Sequence, residues 1–135
     1  MAVIVFCDGA ARPNPGKGGI GIVFSGDKMN YTISEKCVGD KLSNNFVEYA
    51  SLCRALEDIL SYHFEDEEVT IYSDSELLVL QMNGEKKIDR GGKYVSEYLR
   101  AKKLAGRFLR LSFHWVSRNE NTEANMLASK AVIHG

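Results

Sequence analysis

The chain opens on short apolar blocks broken by turn residues. "AVIVFC" (2–7), "GIGIVF" (19–24) and the alternating "NYTISEKCV" (30–38) are separated by Gly, Pro, Asn and Asp, a pattern that predicts three short strands. The tight connections between them predict an antiparallel meander. At Ser43 the period changes. Phe46, Ala50, Cys53, Leu56, Ile59 and Leu60 recur at steps of three and four after the cap candidates Ser43, Asn44 and Asn45, which predicts an amphipathic helix ending near Tyr62. "VTIYS" (69–73) reads as a strand, and "DSELLVLQMNG" as a helix capped by Asp74 or Ser75 and stopped at Gly84. "GGKYVSEYLRAKKLAGRF" predicts a further helix, "LRLSFHWV" a strand and "NENTEANMLASKAVIHG" a closing helix. The order βββαβααβα predicts an α/β fold spanning 1–135 as one domain. Its mixed five-stranded sheet is flanked by helices, with the first three strands antiparallel and the later ones joined in parallel by right-handed crossovers. Ligands of such a sheet sit beyond the carboxyl ends of the parallel strands. Asp8 is expected to end the first strand there and Asp74 the fourth.

Composition narrows the classes. The first apolar run is too short for a signal segment or a membrane span, so the expected setting is cytoplasmic with no membrane contact. Three cysteines without a CxxC spacing point to neither a disulfide framework nor a zinc site. A net charge of −1 argues against nucleic acid as a partner, because phosphate contacts need Lys and Arg. The distribution reverses that argument: from Lys86 to Arg110 nine basic residues face two acids, a local excess of seven. A basic run is ordinarily a solvated helix face, so it gains meaning only beside a reactive site.

Two glycine patterns carry no nucleotide chemistry. "GKGGIG" (16–21) fits G-x-G-x-x-G, but it opens an alternating strand rather than a helix, and Lys17 is followed by Gly18 where a Walker loop needs Ser or Thr. The acids carry more. If the first and fourth strands are neighbours and the first helix packs across them, Asp8, Glu48 and Asp74 converge. An all-oxygen set of that kind suits Mg²⁺ or Mn²⁺. The alternative for Asp74 is helix capping, and for Glu48 an ordinary exposed charge.

Four segments, "DGAARPNPGKGGIG", "SNNFVEYASLCRAL", "YSDSELLVLQMNGE" and "WVSRNENTEANMLA", stand in an order and spacing that cover essentially the whole chain. On these the chain resembles a type 1 ribonuclease H of the short form without a basic protrusion. The resemblance implies endonucleolytic hydrolysis of the RNA strand of an RNA/DNA hybrid, leaving 5′-phosphate ends, with two Mg²⁺ or Mn²⁺ ions in the active complex. It makes Asp8 the bridging ligand and Glu48 and Asp74 its companions. The fourth ligand in the family motif N-x-x-A-D-x-L-A is Asp, whereas "NTEANMLA" has Asn125, a neutral isostere that would weaken the water-activating ion. Asn125 is either an introduced disabling substitution or the native residue of a hybrid- or double-stranded-RNA-binding module. Arg118 stands where many members carry a catalytic histidine. The resemblance also implies that Asn14, Asn44 and Asn45 face the minor groove, that Ser43 with Asn45 takes a DNA phosphate, and that Ser75, Lys86 and Lys87 touch substrate. Arg90 and Lys93 extend the basic segment. The expected state is a monomer.

Overall fold

The computed structural model describes residues 2–134. Five strands form one sheet in the order β3-β2-β1-β4-β5, with β1 at Ala2–Arg12, β2 at Lys17–Ser25, β3 at Asn30–Lys36, β4 at Glu68–Ser73 and β5 at Arg110–Trp115. The strands β1, β2 and β3 pair antiparallel, while β1–β4 and β4–β5 pair parallel, as the βββαβααβα order predicts. Between them lie α1 (Asn44–Ser61), α2 (Glu76–Met82) and α3 (Val95–Ala105), and the chain closes with α4 (Thr122–His134) after a 3-10 turn at Arg118–Glu120. The predicted last residue of the closing helix, Gly135, lies outside the described residues. Among the described residues no helix is long and apolar enough to cross a membrane.

The period-two strands divide the two faces. Val3, Val5, Cys7, Ile20, Ile22 and Phe24 turn to one side and are buried with Leu52, Leu56 and Ile59 of α1 and with Leu78 and Val79 of α2. Gly19 and Gly21 turn to the other side, against the backbone of α4. The buried surface of α1 is wider than its predicted stripe and includes Val47, Tyr49 and Ala55, because the sheet covers one flank and α3 another. The α3 helix is shorter than the predicted segment. Gly91 and Gly92 stay in the preceding loop, where the Asp89 side chain accepts from the Gly91 amide, and helix begins only at Val95.

One expectation about β1 needs correction, since Asp8 does not end the strand. β1 continues to Arg12, held by antiparallel pairing with β2 through Arg12↔Lys17. What ends beside Asp8 is the parallel pairing, whose last pair is Cys7↔Ser73. Asp8 therefore stands at the fork where β1 outruns β4, the crevice a mixed sheet offers to ligands.

Candidate active site

Three elements bring three carboxylates to that fork. Asp8 comes from β1 and is 3% exposed. Glu48 comes from the second turn of α1, which lies directly on β1: a Cβ at Gly9 would fall on the carbonyl of Val47, so only glycine admits the helix this closely. Asp74 follows β4. Its helix is capped by Ser75, whose Oγ accepts from the Leu78 amide at 3.2 Å, so the capping alternative for Asp74 does not apply and its carboxylate is left for the cleft. One oxygen from each of the three lies within 4.8 Å of the others.

The electrostatics are unrelieved. Among the described residues none of the three forms an ion pair. The Gly9 amide donates to Asp8 Oδ1 at 2.9 Å and to Glu48 Oε1 at 3.3 Å, while Glu48 Oε2 is buried with no hydrogen-bond partner. Burial, then the neighbouring Asp8 and Asp74, holds the Glu48 carboxyl well above the ordinary carboxylate range. Asp74 is raised as well, by burial and by Asp8, against the opposing pull of Arg118 and a hydrogen bond from Asn121.

The α4 helix brings the fourth group. A Cβ at Gly21 would land on the Ala124 carbonyl, so bare glycine lets α4 settle on β2; Gly19 and Gly21 of "GKGGIG" serve helix packing. Asn125 in the first turn of α4 then donates Nδ2 to Asp8 Oδ2 at 2.8 Å. It presents a donor to the site rather than its carbonyl oxygen.

The open cleft around these groups has a volume of about 510 Å³. Asn44, Asn45, Ser75 and Arg118 line it, as does Arg12. Arg12 does not pair with Asp8, because its guanidinium donates to Ser129 Oγ of α4 at 2.7 Å. Asn14 and Ser43 are engaged in structure: Asn14 Oδ1 accepts from the Asn44 amide at 3.0 Å, and Ser43 Oγ caps α1 through the Phe46 amide at 3.1 Å. Asn44 Oδ1 accepts from the Ala11 amide at 3.0 Å, which ties α1 to the far end of β1. Lys86 and Lys87 stand apart from the residues that line the cleft, on the exposed loop after α2. Asn121 is the residue that sequence reasoning passed over. It is 2% exposed, and its Nδ2 donates to the Cys7 carbonyl at 3.1 Å, anchoring the residue before Asp8.

Comparison with known proteins places the fold in a family. A family model described as reverse transcriptase-like matches residues 6–131. The N-terminal RNase H domain of Rv2228c from Mycobacterium tuberculosis superposes with a TM-score of 0.86 at 30% identity, covering 98% of this chain and 99% of that one. LC11-RNase H1, solved in complex with an RNA/DNA hybrid, superposes with a TM-score of 0.86 at 32% identity, over 97% of this chain and 96% of that one. The chain belongs to the type 1 ribonuclease H family. Ribonuclease HI of Halobacterium salinarum is 31% identical over 131 residues, 96% of this chain and 64% of that protein. The bifunctional protein Rv2228c is 33% identical over 133 residues, and the chain spans 36% of its length. Within the ribonuclease H fold, the fork between β1 and β4 is thus where this chain gathers its carboxylates.

Proposed function

We propose that this chain binds RNA/DNA hybrid and hydrolyses its RNA strand with the help of divalent metal held by Asp8, Glu48 and Asp74, slowly because residue 125 is asparagine. The observation that carries this reading is the convergence of three carboxylates around a buried, unpartnered Glu48 oxygen, in an open cleft lined by amides and arginines. The donor set fits the metal: three carboxylates, all oxygen and none of them in an ion pair among the described residues, suit Mg²⁺ or Mn²⁺. When bound, such ions supply charge neutralisation for a phosphodiester and lower the pKa of water. Arg12 and Arg118 offer fixed positive charge to the phosphate entering the cleft. The Asn44 side chain, its oxygen engaged by Ala11, keeps its NH₂ for a 2′-hydroxyl, and Asn45 lies beside it. Recognition of this kind reads groove shape and the 2′-hydroxyl rather than sequence.

Asn125 sets the rate. Its amide occupies Asp8 Oδ2, and it adds no negative charge with which to recruit a second ion. One ion is therefore expected to bind tightly without nucleic acid, and a second only with substrate phosphate. Calorimetric titration with Mn²⁺ should show one tight site, and N125D should add or strengthen another. In a cleavage assay on labelled hybrid with Mg²⁺ or Mn²⁺, N125D should exceed the parent by about tenfold or more, the contribution of a second ion to phosphoryl transfer. Absence of cleavage by both proteins in either metal would refute the nuclease reading. The Asn125–Asp8 bond favours one second reading, a module that holds hybrid or double-stranded RNA without cutting; hybrid binding with no cleavage even by N125D would support it.

A further inference from the structure

We infer that Gln81 is a positioning residue, a buried clamp that fixes the basic loop after α2 so that its lysines meet a nucleic-acid backbone. Gln81 lies in "LLVLQM" on the core side of α2 and is 2% exposed, a position where an apolar residue is the default. An amide in such a place is costly unless every polar atom is partnered. Here the partners are supplied by two different elements. Oε1 accepts from the Tyr49 hydroxyl of α1 at 2.7 Å, one residue after Glu48. Nε2 donates to the Tyr94 hydroxyl at 2.9 Å and to the Lys87 carbonyl at 3.3 Å. Tyr94 relays the hold: its hydroxyl also accepts from the Asp89 amide at 3.2 Å, and its ring stacks on Tyr49 with centroids 5.7 Å apart and planes within 4°.

Among the described residues, these are the hydrogen bonds that tie the 87–93 stretch to the body of the protein. Its remaining bonds are local, from Gly91 and Gly92 back to Asp89. The clamped loop carries Lys87, Arg90 and Lys93, with Lys86 just before it where its amide donates to the Leu80 carbonyl of α2 at 3.2 Å; all four are exposed and none is in an ion pair among the described residues, with Asp89 as the single acid between them. Four unpaired cations held at fixed positions suit a repeating anion, and the phosphodiester backbone of the hybrid is the ligand; this rests on the hybrid-binding reading above. Preorganising long side chains on a fixed backbone lowers the ordering cost of each phosphate contact. A floppy loop would keep the charge and lose that advantage.

The test compares Gln81→Leu, Tyr94→Phe and a Lys86→Ala/Lys87→Ala/Lys93→Ala variant of the full chain. Each is titrated with a short RNA/DNA hybrid at salt concentrations between about 50 and 200 mM. Gln81→Leu should flatten the slope of log affinity against log salt by about two units, near one per lost contact, and the lysine substitutions should add little in its background. The Asp89 amide should exchange its hydrogen at least about tenfold faster in Gln81→Leu. Tyr94→Phe keeps the stacked ring and removes only the hydroxyl, so it carries the test if Gln81→Leu fails to fold. An unchanged slope in a folded variant, with or without faster exchange, overturns the clamp, because a merely structural glutamine would alter melting and leave salt dependence alone. A parent chain that binds no hybrid overturns the hybrid reading and this loop's ligand together. Parent binding with an unchanged Gln81→Leu slope overturns the clamp alone.

Discussion

Asn125 and aspartate have nearly the same shape, yet the amide turns what would be a repelling neighbour of Asp8 into a hydrogen-bond donor at 2.8 Å. In the metal-free protein N125D removes that bond and adds a charge to a site where burial and mutual repulsion already raise Glu48 and Asp74. The variant should lose about 2 kcal/mol of stability to urea without metal, the scale of a hydrogen bond to a charged group, and saturating Mn²⁺ should recover most of it. Equal stability of the two proteins without metal would contradict the assignment of Nδ2 as the facing atom. Trp115 provides a second check at this scale. It is the single tryptophan of the chain, 52% exposed, and its indole N–H donates to the Asp74 carbonyl at 3.3 Å. Mn²⁺, being paramagnetic and held by Asp74, should quench its fluorescence, and Asp74→Asn should abolish the quench at the same concentration. The convergence of Asp8, Glu48 and Asp74 was legible in the sequence from the order of the elements taken together, since Glu48 and Asp74 each had an ordinary structural reading when taken alone. Asn121 and Arg12 were not: the hold of Asn121 on Cys7 and the turn of Arg12 toward Ser129 exist only once α4 has docked.

Elements place these residues through close backbone approaches that only glycine permits. Gly9 admits α1 and so carries Glu48 to Asp8, and Gly21 admits α4 and so carries Asn125. A methyl group at Gly21 would meet the Ala124 carbonyl and the Ala128 amide, both helix backbone with little freedom to move. Gly21→Ala should cost about 3 kcal/mol in urea unfolding, at the upper end of overpacking, and should lengthen the Asn125–Asp8 contact. A loss below about 0.5 kcal/mol would mean that α4 slides freely on β2. Element type was readable from periodicity throughout, and the boundaries moved where a local hydrogen bond intervened. Asp89 holds Gly91 out of α3, and Ser117 with Glu120 forms a capping box over a 3-10 turn at Arg118–Glu120, of which the pattern gave Asn119 and Glu120 to the closing helix. Neither bond leaves a periodic trace. The strand directions were legible because short turns and long crossovers differ in length, whereas the adjacency of β1 and β4 stood only as a condition and the continuation of β1 past Asp8 was not legible, since "GAARPN" reads as turn until β2 is seen to pair with it.

For the molecule as a whole, the unrelieved carboxylates couple folding to pH. Glu48 and Asp74 bind protons more tightly in the folded, metal-free protein than in the unfolded chain, whose carboxyls titrate near 4. A folded-state pKa that is raised contributes stability that is fully present below the unfolded value and is lost as pH climbs through the folded value. Removing one of these acids should therefore stabilise the metal-free protein at neutral pH and do nothing in acid. Glu48→Gln keeps the shape and the acceptor for the Gly9 amide while discarding the charge. Its melting temperature without metal should exceed that of the parent at pH 7.5 and match it near pH 4, and the gain should develop across the interval between. The ion pairs of Asp58 with Arg54 and of Glu57 with Arg100 are common to both proteins and cancel in the difference. Mn²⁺ reverses the comparison. Binding displaces the protons and neutralises the repulsion, so the parent should gain more from the ion at pH 7.5 than at pH 5, while Glu48→Gln, left with Asp8 and Asp74, gains less at both. A Glu48→Gln advantage that is the same at pH 4 and pH 7.5 would show that the cluster does not strain the fold and would count against its holding a cation.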